Sequence, residues 1–219
     1  MKIVRVATLI SKGAFAHSPE WAALRDEVHT AVRAADWPAG TGKFLIRPES
    51  GKKRGEGNGV KPIKDETIRR LVRSGLNHKA RTAKGQPVLS NEWVAEAPWP
   101  VGERIRPGRM DAAYYCDEGI VCLEWETGNI SSSHRSMNKM CLGLLQGLIK
   151  AGILVVPSRE LYPFLTDRIG NIAELEPYFP LWSATPCEEG ILEIIVIEHD
   201  DTCEKVPRIP KGTDGRAQS

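Results

Sequence analysis

The chain changes from a strand to a helix within residues 123–139, which read LEWETGNISSSHRSMNK. Residues 120–125 are apolar and of types that favour strands, in which side chains alternate between two faces. The alternation predicts two sets of side chains on opposite faces: Val121, Leu123 and Trp125 on one, Cys122, Glu124 and Glu126 on the other. Two carboxylates therefore share one face, so either a cation lies nearby or the pair is solvated.

A helix and a second strand are predicted to follow. Gly128 breaks the first strand, the serines at 131–133 supply N-cap hydroxyls, and apolar residues then recur at helical spacing over residues 133–149. Residues 153–156 form a continuous apolar run, which predicts a strand buried on both faces. Since a strand, a helix and a strand make a crossover unit, this part of the sheet is predicted to be parallel.

Asp111 adds a third acid, near the start of another predicted strand that follows a turn at residues 106–109. An Asp followed by Glu-x-Glu on a neighbouring strand is the arrangement of nucleases that hold a divalent metal between strands, with the second Glu where many relatives carry Lys. A Glu-x-Glu pair alone is more often the exposed face of an edge strand. The upstream Asp111 is what favours a metal site.

The remaining elements are predicted from caps, apolar spacing and prolines. Helices are predicted over residues 18–36, 65–75 (capped by Asp65), 90–96 and 159–166, and strands over 44–46 and 191–197. Residues 207–219 are predicted to be an irregular tail. The length suits one α/β domain over residues 1–219, with a central mixed β-sheet flanked by helices on both sides.

Positive charge is concentrated in one part of the chain. Residues 43–84 carry thirteen Lys and Arg against four Asp and Glu, a net charge of +9, whereas the rest of the chain carries −7. A basic segment beside an acidic metal site suits a phosphodiester substrate. The alternative is a solvated loop.

Composition also indicates the compartment. No apolar run approaches the roughly 20 residues of a membrane span, and Arg5 and Lys12 interrupt the only segment that faintly resembles a signal peptide. The five cysteines include no C-x-x-C pair, so they suggest neither a disulfide framework nor a zinc site. We expect a cytoplasmic protein with reduced thiols and no membrane partner.

Several motifs are similar to those of the BamHI-type type II restriction endonucleases. In chain order they are Asn58-Gly-Val-x-Pro62-Ile-Lys64, Glu124-x-Glu126-Thr-Gly-Asn-Ile-Ser-Ser-x-His134-Arg135-Ser-x-Asn138-Lys139, Tyr162-x-x-Leu165-Thr-Asp167-Arg168, Glu174-Leu-Glu176-Pro-Tyr-Phe179 and Ile209-Pro-Lys-Gly-x-Asp214-Gly215. The resemblance covers most of the chain and implies a restriction-endonuclease-like core. It suggests that this chain is a close relative or an isoschizomer of the enzymes of that family. We expect the chain to lack the family's C-terminal helix.

The resemblance implies Mg²⁺-dependent cleavage of double-stranded DNA. Asp111 and Glu124, with the carbonyl of Trp125, would hold one ion, and Asp111 with Glu96 could hold a second. Glu126 would position or deprotonate the attacking water. Glu96 matches the family more weakly, and its alternative interpretation is an acid on a helix surface.

The resemblance also implies which residues read the DNA. Contacts to bases are assigned to Asn129, Ser131, Arg135, Asp167 and Arg168, with Lys64 nearby. Because Arg pairs with guanine, Asp with cytosine and Asn with adenine, the set suits the family's target GGATCC, cut after the first G to leave four-base 5′ overhangs. The alternatives are an ion pair of Arg135 with Glu124 or Glu126, and a helix end at Asp167-Arg168. His134 is interpreted as structural.

A second DNA-reading segment is implied near the C-terminus. Gly212, Asp214 and Arg216 resemble a minor-groove arm. The family has an apolar residue in place of Arg216, which favours contact with phosphate or a narrow groove there.

A palindromic target implies a homodimer, each subunit reading one half-site. The apolar residues of the helix predicted after Gly128 spread over more than one stripe, so it should be buried on several sides, against a partner subunit or within a monomer. A cognate DNA methyltransferase is the implied companion. Two alternatives stay open: a nuclease with another GATC-containing target, and a sequence-specific DNA-binding protein that has lost cleavage.

Overall fold

A computed structural model describes residues 1–48, 57–72, 91–100, 107–126, 128–166 and 169–211. The strands are β1 (Lys2–Lys12), β2 (Leu45–Ile46), β3 (Trp93–Ala97), β4 (Met110–Cys116), β5 (Gly119–Trp125), β6 (Ala151–Pro157), β7 (Gly190–Glu198) and β8 (Asp201–Thr202). The helices are α1 (Pro19–Ala34), α2 (Lys61–Leu71), α3 (Ile130–Leu145), α4 (Ile172–Leu175) and α5 (Phe179–Ser183), with 3₁₀ turns at Phe15–His17, Tyr162–Phe164 and Glu176–Tyr178.

Six strands form one mixed sheet in the order β1-β7-β6-β5-β4-β3. Strands β5, β6 and β7 are parallel, whereas β3, β4 and β1 pair antiparallel with their neighbours. The parallel crossover from β5 through α3 to β6 is confirmed, and so is the α/β class with a mixed central sheet. Strands β2 and β8 form a separate parallel pair.

The sheet separates two apolar layers. Val121, Leu123 and Trp125 of β5 pack in the layer that contains the buried side chains of α1 and α2. Cys122 packs in the opposite layer with Met137 and other α3 residues. The predicted alternation along β5 is confirmed, and it directs Glu124 and Glu126 toward α3, whose side chains they contact.

Several other predicted elements are confirmed. Helix α1 begins as expected, because the Ser18 hydroxyl accepts a hydrogen bond from Trp21 N–H at 3.0 Å. Every residue of β6 is buried, as its apolar run predicted. None of the described helices is both long and apolar enough to cross a membrane.

Two short helices were predicted wrongly. Residues 93–97 form a strand, with Trp93 opposite Tyr114 of β4, because ladder pairing outweighs the local helix signal. Residues 159–166 contain only a 3₁₀ turn, since Pro163 offers no N–H to a longer helix and Leu165 pairs instead with Asn58.

Two helix starts also differ from the prediction. Helix α2 begins at Lys61, so Asp65 lies inside it and pairs with Lys61 rather than capping it. Helix α3 is capped by Asn129, whose side-chain oxygen accepts from Ser132 N–H, and it ends at Leu145. The predicted stop at Gly75 lies outside the described residues.

Candidate active site

Strands β4 and β5 stop pairing where the first two acids lie. Their register ends at Ala112 opposite Leu123, and beyond it Trp125 N–H donates to Asp111 Oδ2 at 2.8 Å. The carboxylate of Asp111 thus takes the place of a strand carbonyl. On the other side, Glu126 N–H still donates to Val155 of β6 at 2.9 Å. The sheet therefore opens on one side only, beside Glu124.

Glu124 is buried with only 7% of its surface exposed, and its hydrogen bonding is incomplete. It forms an ion pair through its Oε1 with the buried Lys139 of α3. Ser136 Oγ lies 3.5 Å from Oε2, the limit of a hydrogen bond. Burial and the charge of Asp111 raise the pKa of Glu124 to about 7, although Lys139 and Lys64 oppose the shift.

Two lysines supply the positive charge at this end of the sheet. Lys64 of α2 forms an ion pair with Asp111 Oδ1. Lys139 also donates to the carbonyl of Arg109 at 2.7 Å, and its ammonium lies 5.8 Å from the centre of the Trp99 ring. The cation that paired carboxylates require is therefore provided by the chain itself.

Glu126 is held by several hydrogen bonds in a fixed orientation. It accepts from Gly128 N–H at 2.5 Å, from Ser132 Oγ at 2.8 Å and from Ser133 Oγ. Burial nevertheless raises the pKa of Glu126 to about 7, because these donors offset the desolvation only in part. Such a carboxyl can take up or release a proton near neutral pH.

The acids and the start of α3 line one cavity of about 960 Å³. From the predicted site it contains Asp111, Glu124, Glu126, Ser131 and Arg135. Lys64 lies beside this cavity, because it forms an ion pair with Asp111. Two surface side chains, Ser131 and Arg135, thus reach the buried acids through one open space.

Glu96 and Asn129 lie apart from this cavity. Glu96 is exposed on β3, not on a helix, and the strand register puts it across from Asp111, between the pairs of Ala95 and Ala97. Its φ of 49° is the left-handed conformation that costs a non-glycine residue energy, and its carbonyl accepts from Arg109. Asn129 is exposed and serves as the cap of α3.

The other predicted site residues lie outside the described residues: Asp167, Arg168, Gly212, Asp214 and Arg216. Seven of the thirteen basic residues of segment 43–84 do as well. His134 is interpreted as structural, in agreement with its ring contacts to Tyr178 and Trp182, whose centroids lie 4.3 and 5.4 Å away.

The donor set fits a hard divalent cation. Within the described residues no three His, Cys, Asp or Glu side chains are grouped closely enough to hold a metal. Mg²⁺ needs fewer protein ligands, because it is usually bound by one or two carboxylates together with waters and substrate phosphates. Asp111 and Glu124 offer only oxygen, and Glu124 Oε2, whose contact with Ser136 Oγ is at 3.5 Å, can accept such an ion.

Sequence reasoning assigned no role to Lys139, Ser132 or Ser133 at the acids. The spacing of Ser132, Ser136 and Lys139, four and then three residues apart, puts them on one helix face and could have identified them. Ser132 and Ser133 were interpreted only as caps, whereas both donate hydrogen bonds to Glu126.

Known restriction enzymes match the chain over nearly its full length. The family described as "Restriction endonuclease BamHI" matches residues 1–216. The type II restriction enzyme OkrAI of Oceanobacter kriegii is 41% identical over 217 residues, which cover 99% of each chain. The type II restriction enzyme BamHI of Bacillus amyloliquefaciens is 35% identical over 199 residues, 88% of this chain and 82% of that enzyme. The chain therefore belongs to the BamHI family of type II restriction endonucleases, which are site-specific deoxyribonucleases.

Proposed function

We propose that this enzyme cuts double-stranded DNA at GGATCC, after the first G of each strand, as an Mg²⁺-dependent homodimer. The observation that carries the proposal is that the three acids share one cavity with Ser131 and Arg135 of α3. A restriction enzyme needs its hydrolytic groups and its base-reading groups within reach of the same DNA segment. The motif resemblance supplies the target, because Arg135 and the Asp167-Arg168 pair suit a half-site rich in G and C.

Asp111 and Glu124 are the proposed ligands of Mg²⁺, which when bound polarises the scissile phosphate and neutralises charge on the departing 3′ oxygen. Lys139 and Lys64 favour the ionised form of Glu124, because both lower its pKa. Glu96 is the proposed ligand of a second ion, since the register puts it opposite Asp111.

Glu126 is proposed to accept the proton of the attacking water. A general base works best when its pKa is near the working pH, and burial raises the pKa of Glu126 to about 7. The hydrogen bonds from Gly128 and the two serines fix the carboxylate, so its orientation does not depend on the substrate.

Base reading is proposed to begin at the N-terminal end of α3. Arg135 is exposed at the cavity and can pair with guanine O6 and N7, while Asn129 and Ser131 precede it on the same helix end. Lys64, Asp167 and Arg168 are proposed to complete the major-groove contacts, and Gly212, Asp214 and Arg216 the minor-groove arm.

A homodimer follows from the symmetry of the target. Leu145 supports it, because this apolar side chain at the end of α3 is 52% exposed and a partner subunit could cover it. We also propose that the enzyme acts in the cytoplasm, beside a methyltransferase that protects the same sites in the host DNA.

Digestion of linear DNA tests the proposal. One substrate carries a single GGATCC site and its copy has one outer base pair changed, each with and without Mg²⁺. We expect cutting of the intact site only, only with Mg²⁺, and 5′-GATC ends. Cutting of both substrates would remove the outer-base assignment and favour another GATC-containing target, and cutting without any divalent metal would remove the metal proposal.

A further inference from the structure

Asn58 joins three distant parts of the chain through a buried side chain. Its amide donates to the carbonyls of Arg47 at 3.0 Å and Phe164 at 2.9 Å, and its Oδ1 accepts from Ile209 N–H at 3.1 Å. The side chain is fully buried, so both of its N–H donors and its oxygen are used inside the protein. Its backbone makes two further bonds, to Phe164 and from Thr166.

The glycines on either side of Asn58 bring the same segments into close contact. A Cβ on Gly57 would lie 2.7 Å from the carbonyl oxygen of Leu165 and 2.8 Å from the Cα of Thr166. A Cβ on Gly59 would lie 2.8 Å from the Cα of Lys211 and closer still to the carbonyl oxygen of Pro210. Both positions therefore require glycine, because backbone lies directly against backbone.

Two of the joined segments, and the helix that follows Gly59, lead directly to groups with a proposed role. Thr166 precedes the Asp167-Arg168 pair, and Lys211 precedes the arm that contains Asp214. Helix α2 begins two residues after Gly59 and carries Lys64, which forms the ion pair with Asp111. Residues 57–59 are thus the point where both DNA-reading segments and a helix of the active site meet.

We propose that Gly57-Asn58-Gly59 is a clamp that sets the positions of the two DNA-reading segments relative to each other and to the acids. Asn58 is then a positioning residue for sequence discrimination. The proposal rests on the proposed function, because it uses the assignment of those segments to DNA.

The chemistry of the contact is specific for Asn at this position. Asp would set a negative charge against two carbonyl oxygens, and Ala would remove the side-chain donor to the carbonyls of Arg47 and Phe164 and the acceptor of Ile209 N–H. In Asn58→Ala the segment at 164–166 keeps its two backbone bonds to residue 58, but the side-chain links that join it to Arg47 and Ile209 are lost. Contacts that depend on accurate placement, such as bidentate pairs to bases, should weaken more than contacts to phosphate.

The test compares Asn58→Ala with the wild type as full-length enzymes. For each, kcat/KM is measured on the palindrome that the wild type cuts fastest and on copies with one base pair changed. We expect the ratio of the two values to fall at least tenfold. The ratio does not depend on the fraction of folded enzyme, so simple loss of stability would leave it unchanged. Ser18→Ala, which removes the cap of the distant helix α1, is the control expected to lower the melting temperature without changing the ratio.

Two further variants keep the test decisive if Asn58→Ala does not fold. Gly57→Ala should mainly disturb the segment before Asp167, and Gly59→Ala the segment before the arm, so they should relax discrimination at different base pairs. An unchanged ratio in all folded variants would overturn the clamp. If the wild type prefers a sequence other than GGATCC, the proposed target fails, but the same ratios on the preferred sequence still decide the role of Asn58.

Discussion

Two glutamates are buried to a similar extent in the central sheet, Glu124 on β5 and Glu193 on β7, with 7% and 3% of their surfaces exposed. Glu193 accepts a hydrogen bond from Thr8 Oγ1 at 2.9 Å and forms an ion pair with Arg25 of α1, also at 2.9 Å. Glu124 pairs through Oε1 with Lys139, whereas its Oε2 has only the contact with Ser136 Oγ at 3.5 Å. A buried carboxylate with complete hydrogen bonding stabilises the fold, whereas an incomplete one beside other acids is available to a ligand.

The largest expected effect separates the acids at the cavity from Glu193. Glu126→Gln removes the proposed general base and should lower kcat by about 10²–10⁴-fold. Glu193→Gln should leave the activity of the folded enzyme unchanged and lower the free energy of unfolding by about 1–3 kcal/mol, because it weakens a satisfied buried contact. Single-turnover cleavage and chemical denaturation of both variants measure the two effects. Equal losses of activity would remove the distinction between the two sites.

Removal of the cations should sharpen the comparison. Lys139→Met leaves Glu124 buried without its partner and should cost about 3–5 kcal/mol at pH 8. The cost should be smaller at pH 5, where Glu124 is protonated. Arg25→Met should cost less, about 1–3 kcal/mol, because the buried Glu193 keeps its hydrogen bond from Thr8 and 38% of the Arg25 side chain is exposed to water. Chemical denaturation at both pH values measures these costs, and Mg²⁺ should restore stability only to Lys139→Met. Recovery of both variants would show that Mg²⁺ binds elsewhere.

The raised pKa of Glu126 predicts a dependence of stability on pH. The folded chain holds this proton up to about pH 7, whereas the unfolded chain loses it near the ordinary value for Glu. The contribution of Glu126 to stability is therefore present at low pH and is lost as the pH rises toward 7 and above. The free energy of unfolding of Glu126→Gln minus that of the wild type should therefore be about 1–3 kcal/mol higher at pH 8 than at pH 5. Urea denaturation of both proteins across this range measures the difference, and parallel curves would contradict the assignment.

The smallest expected effect concerns Arg135 and distinguishes base recognition from hydrolysis of the DNA. Arg135→Ala should weaken discrimination at one base pair by about 1–3 kcal/mol, because a bidentate pair with guanine is lost while the acids stay in place. Competitive cleavage of the preferred site and its one-base variants measures the change. Wild-type rates with unchanged selectivity would exclude Arg135 from reading.

Sequence reasoning succeeded where the signal was local or strictly periodic. The two faces of β5 follow from side chains that alternate with a period of two. The start of α1 follows from its capping residue, Ser18, and the crossover into β6 from an apolar run. Asp111, Glu124 and Glu126 were singled out because each lies on a predicted strand or directly after one; the structure brings them to one cavity, and their roles stay predictions.

Predictions failed where a distant segment decides the conformation. Residues 93–97 become a strand only because β4 lies beside them, and Leu165 leaves the helical pattern to pair with Asn58. The partner of Glu124 was left unassigned, because the paired acids indicate a nearby cation but not that Lys139, about two and a half turns into α3, supplies it. Such pairings depend on how α3 packs on the sheet, which local sequence does not specify.

The affinity of the enzyme–DNA complex for Mg²⁺ tests most directly whether Glu124, and not Glu193, is available to a metal ion. Calorimetric titration would use Glu126→Gln enzyme, which should not cut, bound to DNA carrying GGATCC, alone and combined with Glu124→Gln or Glu193→Gln. The account predicts that Glu124→Gln weakens Mg²⁺ binding at least tenfold and that Glu193→Gln leaves it unchanged. Equal Mg²⁺ affinity in all three proteins would contradict the assignment of Glu124 as a metal ligand.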